Sequence, residues 1–167
     1  VKIKENTLYW YALVNEKFYS KDIDLLETFK EFHPDILEMI GKTSKENIIQ
    51  NDIIDLKPME KWTSENLCLI GDAAHATTPN MGQGGCQAVE DAYIIGKLLE
   101  NEKDWNKVFH QFEKIRRSKV NHIVKTSWTL GKVAQWESFT GFRNFVFRNL
   151  PESVNQKQME KILKLEM

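Results

Sequence analysis

The residues best placed to do chemistry follow a short apolar stretch at 67–70. Gly71 and Asp72 come directly after it, and a loop with Pro79 and three further glycines leads into an apolar-periodic segment. A carboxylate at a strand end can accept hydrogen bonds from hydroxyl groups, and glycines let the backbone approach a ligand closely. The helix expected next begins with free N–H groups and partial positive charge. The pattern predicts a ligand site at the carboxyl end of a sheet strand.

Three pieces of sequence make this region recognisable. They read GDAAH at 71–75, PNMGQGGC at 79–86 and EDA at 90–92. Together they resemble the second flavin-binding motif of the FAD-dependent aromatic-hydroxylase-like (group A) flavoprotein monooxygenases. The Gly-Gly-Cys at 84–86 most resembles the zeaxanthin-epoxidase-like and salicylate-hydroxylase-like branch. The resemblance extends from about residue 8 to the 130s.

The resemblance implies a role for each part of this motif. Asp72 would bind the ribityl chain of FAD, and the loop 79–85 would lie along the isoalloxazine ring. The helix from Gly84 would direct its positive end at the pyrimidine edge of the ring. The implied cofactor-binding residues are Gly71, Asp72, Pro79, Gly82, Gln83, Gly84 and Gly85. The resemblance implies no acid–base catalytic side chain and no metal ligand in this chain.

The family implies an oxidoreductase reaction, a hydroxylation or related oxygen transfer. NAD(P)H would reduce the flavin, and one oxygen atom of O₂ would pass to a small organic substrate that the sequence does not identify. A flavin-dependent reductase of the same fold is one alternative. A non-catalytic fragment or binding module is the other, because the GxGxxG that binds the FAD pyrophosphate is absent from the sequence.

The missing GxGxxG leads us to expect the C-terminal part of a longer flavoenzyme, partnered by its own N-terminal half. We expect an α/β fold: the end of a substrate-domain sheet, the last strand and helix of a Rossmann-like FAD domain, and a helical C-terminal region. The expected boundaries are 1–60, 61–101 and 102–167. Alone, the chain should be inactive and prone to self-association, because sheet edges and apolar faces would be bare.

Hydrophobic periodicity and turn residues predict the individual elements. Strands are expected at 8–14, 48–56 and 67–70, the last buried on both faces. Helices are expected at 24–40 (one helix, or two bent at His33-Pro34), 84–101, 105–136, 139–150 and 153–165. The helix at 84–101 should face the core with Val89, Ala92, Tyr93, Gly96 and Leu99. The helix at 105–136 should do so with a stripe from Val108 and Phe112 to Ala134.

Several side chains allow a catalytic and a structural interpretation, and we favour the structural one. His75 is expected to form packing or hydrogen-bonding contacts, and Cys86 to be a small packed residue. Glu90 and Asp91 should point in different directions, and each is expected to be a buried cap or to form a salt bridge rather than to act as a catalytic carboxylate pair. The cluster of Arg116, Arg117 and Lys119 is expected to be a solvated helix face. The phenylalanines at 142, 145 and 147 should pack in the core or between domains, with a membrane or lipid-like substrate as the alternative.

Composition narrows the class of protein. The 167 residues are 41% hydrophobic and carry a net charge of −1, which favours a packed core and gives no reason to expect nucleic acid as a partner. No apolar run reaches the roughly 20 residues of a transmembrane helix. Two cysteines without a C-x₂-C pair favour free thiols and a cytoplasmic protein.

Overall fold

The computed structural model describes residues 1–5, 7–20 and 22–165, except for the side chain of Asn155. Two compact units follow one another, Val1–Asn51 and Asp52–Met167. The described residues form seven α-helices and two small two-stranded sheets. This mixture of helix and sheet agrees with the coarse α/β prediction. The division at 60 and 101 concerns the domains of a longer enzyme and stays a prediction.

The first unit contains short elements. Its elements are β1 (Lys2–Lys4), β2 (Thr7–Leu8), α1 (Leu25–Thr28) and α2 (Pro34–Gly41), with 3₁₀ turns at Glu16–Phe18 and Lys45–Asn47. β1 and β2 are antiparallel. The bent alternative for 24–40 is the one observed, because Pro34 is the first residue of α2, where its fixed φ suits a helix and its missing N–H costs nothing. Asp24 caps α1 by accepting from the Glu27 amide at 3.1 Å.

Two predicted strands are wrong in this unit and just beyond it. Within the described residues, β2 ends at Leu8, so the strand predicted at 8–14 does not form. Residues 48–56 form no strand either. Aromatic and β-branched residues favour extended backbone there, but a strand also needs a neighbour to hydrogen-bond with. The indole of Trp10 instead donates to Thr43 Oγ1 at 3.0 Å.

The second unit is mostly helical and contains the predicted ligand site. Its elements are β3 (Thr63–Ser64), β4 (Leu67–Cys68), α3 (Asp72–His75), α4 (Gly84–Asn101), α5 (Trp105–Ala134), α6 (Thr140–Arg148) and α7 (Glu152–Leu163), with a 3₁₀ turn at Pro79–Met81. All four helices predicted after residue 83 are present, with ends within two residues of those expected. Asp104 caps α5 by accepting from the Asn106 amide at 3.0 Å, which explains why that long helix begins where it does.

The strand before Gly71 is shorter and more exposed than predicted. β4 covers only two residues and pairs in an antiparallel hairpin with β3. Leu67 is 54% exposed and Ile70 is 39% exposed. The prediction that this strand is buried on both faces is therefore wrong. The cause is the lack of a second neighbouring strand among the described residues.

The core of the second unit lies between β3, α3, α4 and α5. Its buried residues are Trp62, Ala74, Ile94, Phe112, Val120 and Val124. The stripe predicted for α5 is confirmed from Val108 to Ser127, where the side chains are buried except for the partly buried Ile115, whereas Ala134 is exposed. The stripe predicted for α4 is wrong, because Val89 is 71% exposed and Tyr93 is 46% exposed. The buried residues of α4 are Gln87, Asp91 and Ile94.

The last two helices differ in how they are packed. Ile162 of α7 is buried, and Lys119 of α5 donates to the Lys164 carbonyl just after α7 at 2.6 Å. On α6 the phenylalanines expected to pack are exposed, Phe142 and Phe145 most of all. Within the part of the chain that the structure describes, no helix is both long and apolar enough to cross a membrane.

Candidate functional site

The Gly71-Asp72 turn has a backbone that only glycine adopts readily. Gly71 has φ +55° and ψ −141°, a region open essentially to glycine. A Cβ at Gly71 would also lie 3.2 Å from Cβ of Ala88 on α4. Asp72 begins α3 and is exposed. The turn therefore brings a free carboxylate to the surface while its glycine packs tightly against α4.

Asp91 of α4 holds this turn in place. Its Oδ2 accepts from the Gly71 amide at 2.9 Å and from His75 Nε2 at 2.6 Å, and its Oδ1 accepts from Arg116 Nε at 2.7 Å. Burial alone would raise the pKa of Asp91, but the hydrogen bonds from His75, Arg116 and Gly71 outweigh burial and lower that pKa below its ordinary 3.8. The ionised carboxylate can only accept, so His75 donates from Nε2. The hydrogen-bonding role predicted for His75 is confirmed.

Arg116 is the cation at the centre of this buried network. Its side chain is fully buried and also donates to Glu90 Oε1 at 2.5 Å and to Gln87 Oε1 at 2.8 Å. The side chain of Lys119 is also buried, and its Nζ donates to both carboxylate oxygens of Glu90, at 2.8 and 2.9 Å. The prediction of a solvated face is therefore wrong for Arg116 and Lys119, because two carboxylates of α4 compensate their charges. The salt bridges predicted for Glu90 and Asp91 are confirmed, although both residues reach the same guanidinium.

The glycine-rich loop exposes backbone on the other side of the site. Pro79 begins the 3₁₀ turn, and Gly82 ends it in the left-handed region at φ +61°. Gln83 is the N-cap of α4, and no side chain among the described residues caps that helix. A Cβ on Gly85 would meet nothing within 4 Å, and one on Gly84 would meet only Thr77 Cγ2 at 3.5 Å. The helix start therefore faces open space with uncapped N–H donors.

These features fit the side of FAD that the sequence predicts. The exposed Asp72 carboxylate can accept from hydroxyl groups, and the uncapped start of α4 can stabilise negative charge. All seven predicted residues lie in one continuous segment, 71–85. Which of them contact a flavin stays a prediction.

Sequence reasoning missed the residues that hold this segment from behind. Arg116, Ser127 and Gly131 all lie on α5, 31 or more positions after Gly85. For Arg116, the signal that could have found it was an arginine at helical spacing between the core residues Phe112 and Val120. For Ser127 the signal was a hydroxyl residue on the stripe predicted to face the core, whereas nothing in the local sequence marked Gly131.

The two cysteines differ in environment. Burial, and then the nearby Glu113 and Asp91 carboxylates, raise the pKa of the Cys68 thiol to about 11. Cys86, at the start of α4, is exposed, so the expectation of a small packed residue is wrong for this chain. The two residues before it in the sequence are glycines, which offer no side chain to pack against it.

The chain is similar in sequence to known flavin-dependent enzymes. The chain is 36% identical over 143 residues to the aurachin C monooxygenase/isomerase of Stigmatella aurantiaca, covering 83% of this chain and 37% of that protein. It is 35% identical over 101 residues to the FAD-dependent urate hydroxylase of Klebsiella oxytoca, covering 60% of this chain and 26% of that protein. It is also similar to the chloroplastic zeaxanthin epoxidase of rice, 37% identical over 102 residues, covering 58% of this chain and 15% of that protein. The chain thus spans a little over a third of these relatives at most.

A solved structure has the same fold. The chain matches Klebsiella pneumoniae HpxO, complexed with FAD and uric acid, with a TM-score of 0.75 and 23% identity, covering 83% of this chain and 36% of that one. The family described as "FAD binding domain" matches residues 27–127, well over half of the chain. The predicted family and its FAD cofactor are therefore confirmed: this chain belongs to the FAD binding domain family of the flavin-dependent hydroxylases.

Proposed function

We propose that this chain forms the ribityl and ring side of the FAD site in an FAD- and NAD(P)H-dependent monooxygenase. The observation that carries the proposal is the pairing of an exposed Asp72 with an uncapped, open helix start at Gly84. The relatives support the reaction class, since those compared include a monooxygenase/isomerase and a urate hydroxylase. The solved HpxO complex contains FAD and uric acid, which supports a small organic substrate.

In this proposal each part of the segment has a separate task. Asp72 accepts from ribityl hydroxyls, and Gly82, Gly84 and Gly85 leave room for a planar ring against the backbone. Gln83 and Pro79 set the direction of the loop. The amides at the start of α4 stabilise the negative charge that a flavin gains on reduction. When bound, FAD supplies the redox chemistry that splits O₂, with one oxygen atom going to the substrate and the other to water.

The N-terminal half of the parent enzyme is the proposed partner of this chain. Val89 and Tyr93 form an exposed apolar stripe on α4, and Leu67 and Ile70 are exposed beside the hairpin. Such surface is unusual for an isolated protein and suits a domain interface. We propose that this half carries the pyrophosphate site and that the parent is cytoplasmic. The finer fold assignment, the end of a substrate domain followed by the last part of a Rossmann-like FAD domain, belongs to the same proposal.

The first experiment replaces Asp72 with alanine in the full-length parent. Hydrogen bonds to charged groups contribute about 1.5–3 kcal/mol, so FAD affinity should fall roughly 10- to 150-fold. Titration of the apoprotein with FAD, followed by flavin fluorescence, measures this. The control is Asp52→Ala, because Asp52 is an exposed carboxylate of the same unit outside the site. Equal FAD affinity in the folded Asp72 variant would refute the assignment.

A second measurement distinguishes a monooxygenase from a flavin-dependent reductase and from a non-catalytic fragment. With a matched substrate, the full-length parent should consume one O₂ for each NAD(P)H oxidised and yield oxygenated product. NAD(P)H oxidation without O₂ uptake, with a reduced double bond in the product, would favour the flavin-dependent reductase instead. The chain alone should neither retain FAD on purification nor oxidise NAD(P)H. If the purified chain showed a flavin absorbance band that corresponds to nearly one FAD per chain, the proposal that this chain forms only part of the FAD site would be contradicted.

A further inference from the structure

The 3₁₀ turn of the glycine-rich loop is hydrogen-bonded to α5. Ser127 Oγ donates to the Thr78 carbonyl at 2.7 Å and lies 2.8 Å from Thr78 Oγ1. Because the single hydroxyl proton of Ser127 goes to the carbonyl, the Thr78 hydroxyl donates to Ser127. Asn80 Nδ2 then donates to Thr78 Oγ1 at 2.9 Å and to the Ser127 carbonyl at 3.0 Å. Each of these side-chain protons has an acceptor, so the arrangement is closed.

Ser127 differs from the other hydroxyl residues near it on α5. Thr126 and Thr129 donate back to carbonyls one turn earlier in their own helix, at His122 and Lys125, both at 2.8 Å. That bond within the helix is the usual one for such residues. Ser127 is fully buried and donates across to the loop instead. Its hydroxyl therefore joins two elements and does not merely satisfy its own helix.

Gly131, one turn after Ser127, provides the space for Asn80. A Cβ at this position would overlap Asn80 Nδ2 and would lie 3.2 Å from Asn80 Cγ. Glycine in a helix interior is normally unfavourable relative to alanine. Here it has a specific reason, because a side chain would displace the amide that donates to both Thr78 and Ser127.

From this geometry we infer that Ser127 and Gly131 are positioning residues that set the flavin-facing loop through Asn80. We name the group Thr78, Asn80, Ser127 and Gly131 the loop latch. The inference rests on the proposed function, since the loop that the latch holds is the one proposed to lie along the flavin ring. The latch acts on the cofactor only by fixing the path of Pro79–Met81 and the left-handed residue Gly82 that follows.

The test uses the full-length parent holoenzyme. Gly131→Ala should weaken FAD binding about tenfold, since it breaks the Asn80 hydrogen bonds, and should change the visible circular dichroism of the remaining bound flavin. The thermal midpoint should move little, because alanine favours the helix while the latch is lost. In an Asn80→Ala background, Gly131→Ala should change FAD affinity by less than about twofold, because the group it displaces is already gone. The control is Ser118→Ala, an exposed serine of α5, which should bind FAD as the unmodified enzyme does.

Hydrogen exchange of the FAD-free parent tests the latch without the cofactor. The Gly82 amide, which donates to the Pro79 carbonyl at 3.0 Å, should exchange faster in Gly131→Ala and in Ser127→Ala than in Ser118→Ala. Unchanged exchange would overturn the inference, and so would an equal loss of FAD affinity from Gly131→Ala with and without Asn80. A parent that binds no FAD, yet shows the faster exchange, would refute the proposed function and leave the latch supported.

Discussion

Helices α4 and α5 pack against each other, yet they bury different kinds of surface. α5 buries a long apolar stripe together with polar residues such as Arg116 and Ser127. α4 buries Gln87 and Asp91 and leaves Val89 and Tyr93 exposed. The same rule of helical periodicity therefore succeeds for one helix and fails for its neighbour.

The difference shows that α4 has two faces with two different tasks. Its polar face meets Arg116 and Lys119 of α5, where full compensation of charge makes burial possible. Ile94 of α4 is buried in the core, but the apolar side chains of Val89 and Tyr93 are exposed, and we assign them to the N-terminal half proposed above. A helix that packs between two domains can present apolar residues to one domain and polar residues to the other. The apolar stripe of such a helix therefore need not face the core of the domain to which the helix belongs.

The largest effect should come from the polar face. Arg116→Met leaves the buried Asp91 without its guanidinium partner, whereas Glu90 keeps Lys119. Breaking such a buried pair costs about 3–5 kcal/mol. The free energy of unfolding of the parent in urea should fall by about that amount. Lys97→Met is the control, because Lys97 is 46% exposed and its partner Glu100 is 62% exposed, and such a surface pair contributes little to stability. Equal losses in the two variants would remove the distinction between the faces.

A smaller effect should come from the apolar face, and only in the parent. Val89→Asp should lower the free energy of unfolding of the parent by about 2–3 kcal/mol, because a valine buried at an interface becomes a carboxylate. In the chain alone, where Val89 is 71% exposed, the change should stay within about 0.5 kcal/mol. Urea unfolding of both proteins measures the contrast. Similar small changes in both would show that this face stays in water in the parent as well.

The smallest effect should appear in the pH dependence of stability. The lowered pKa of Asp91 stabilises the fold fully above the unfolded-state value of about 3.9, and this stabilisation is lost as the pH falls through the lower folded-state pKa. The free energy of unfolding should therefore decrease below about pH 4. Asp91→Asn should flatten that part of the profile. A variant profile as steep as that of the unmodified protein would assign the acid sensitivity to other carboxylates.

Local patterns sufficed for much of this fold. The helices after residue 83 were predicted because apolar spacing and turn residues are local signals. The strands at 8–14 and 48–56 could not be judged in the same way, because a strand depends on a neighbour that sequence does not show. The burial of Arg116 likewise depends on Asp91 and Glu90, 25 and 26 positions earlier.

The candidate site divides in the same manner. The side proposed to face the ligand, from Gly71 and Asp72 to Gly85, lies in one continuous segment and was predicted from its residues and from the family that they resemble. Its supporting side comes from α5, where Ser127 and Gly131 look like ordinary helix residues. Their role depends on which loop lies opposite, and only the tertiary structure shows that Asn80 does.

Because the two cysteines lie in different environments, one of them can be labelled selectively near the candidate site. With its pKa near 11, Cys68 remains almost wholly a thiol at neutral pH and should react slowly with maleimides or disulfide reagents. Cys86 is exposed at the third residue of α4, directly beside the glycines of the proposed flavin loop. A single spectroscopic label can thus be attached next to the loop without mutating the protein, and its signal would report when FAD or the proposed N-terminal half covers the helix start.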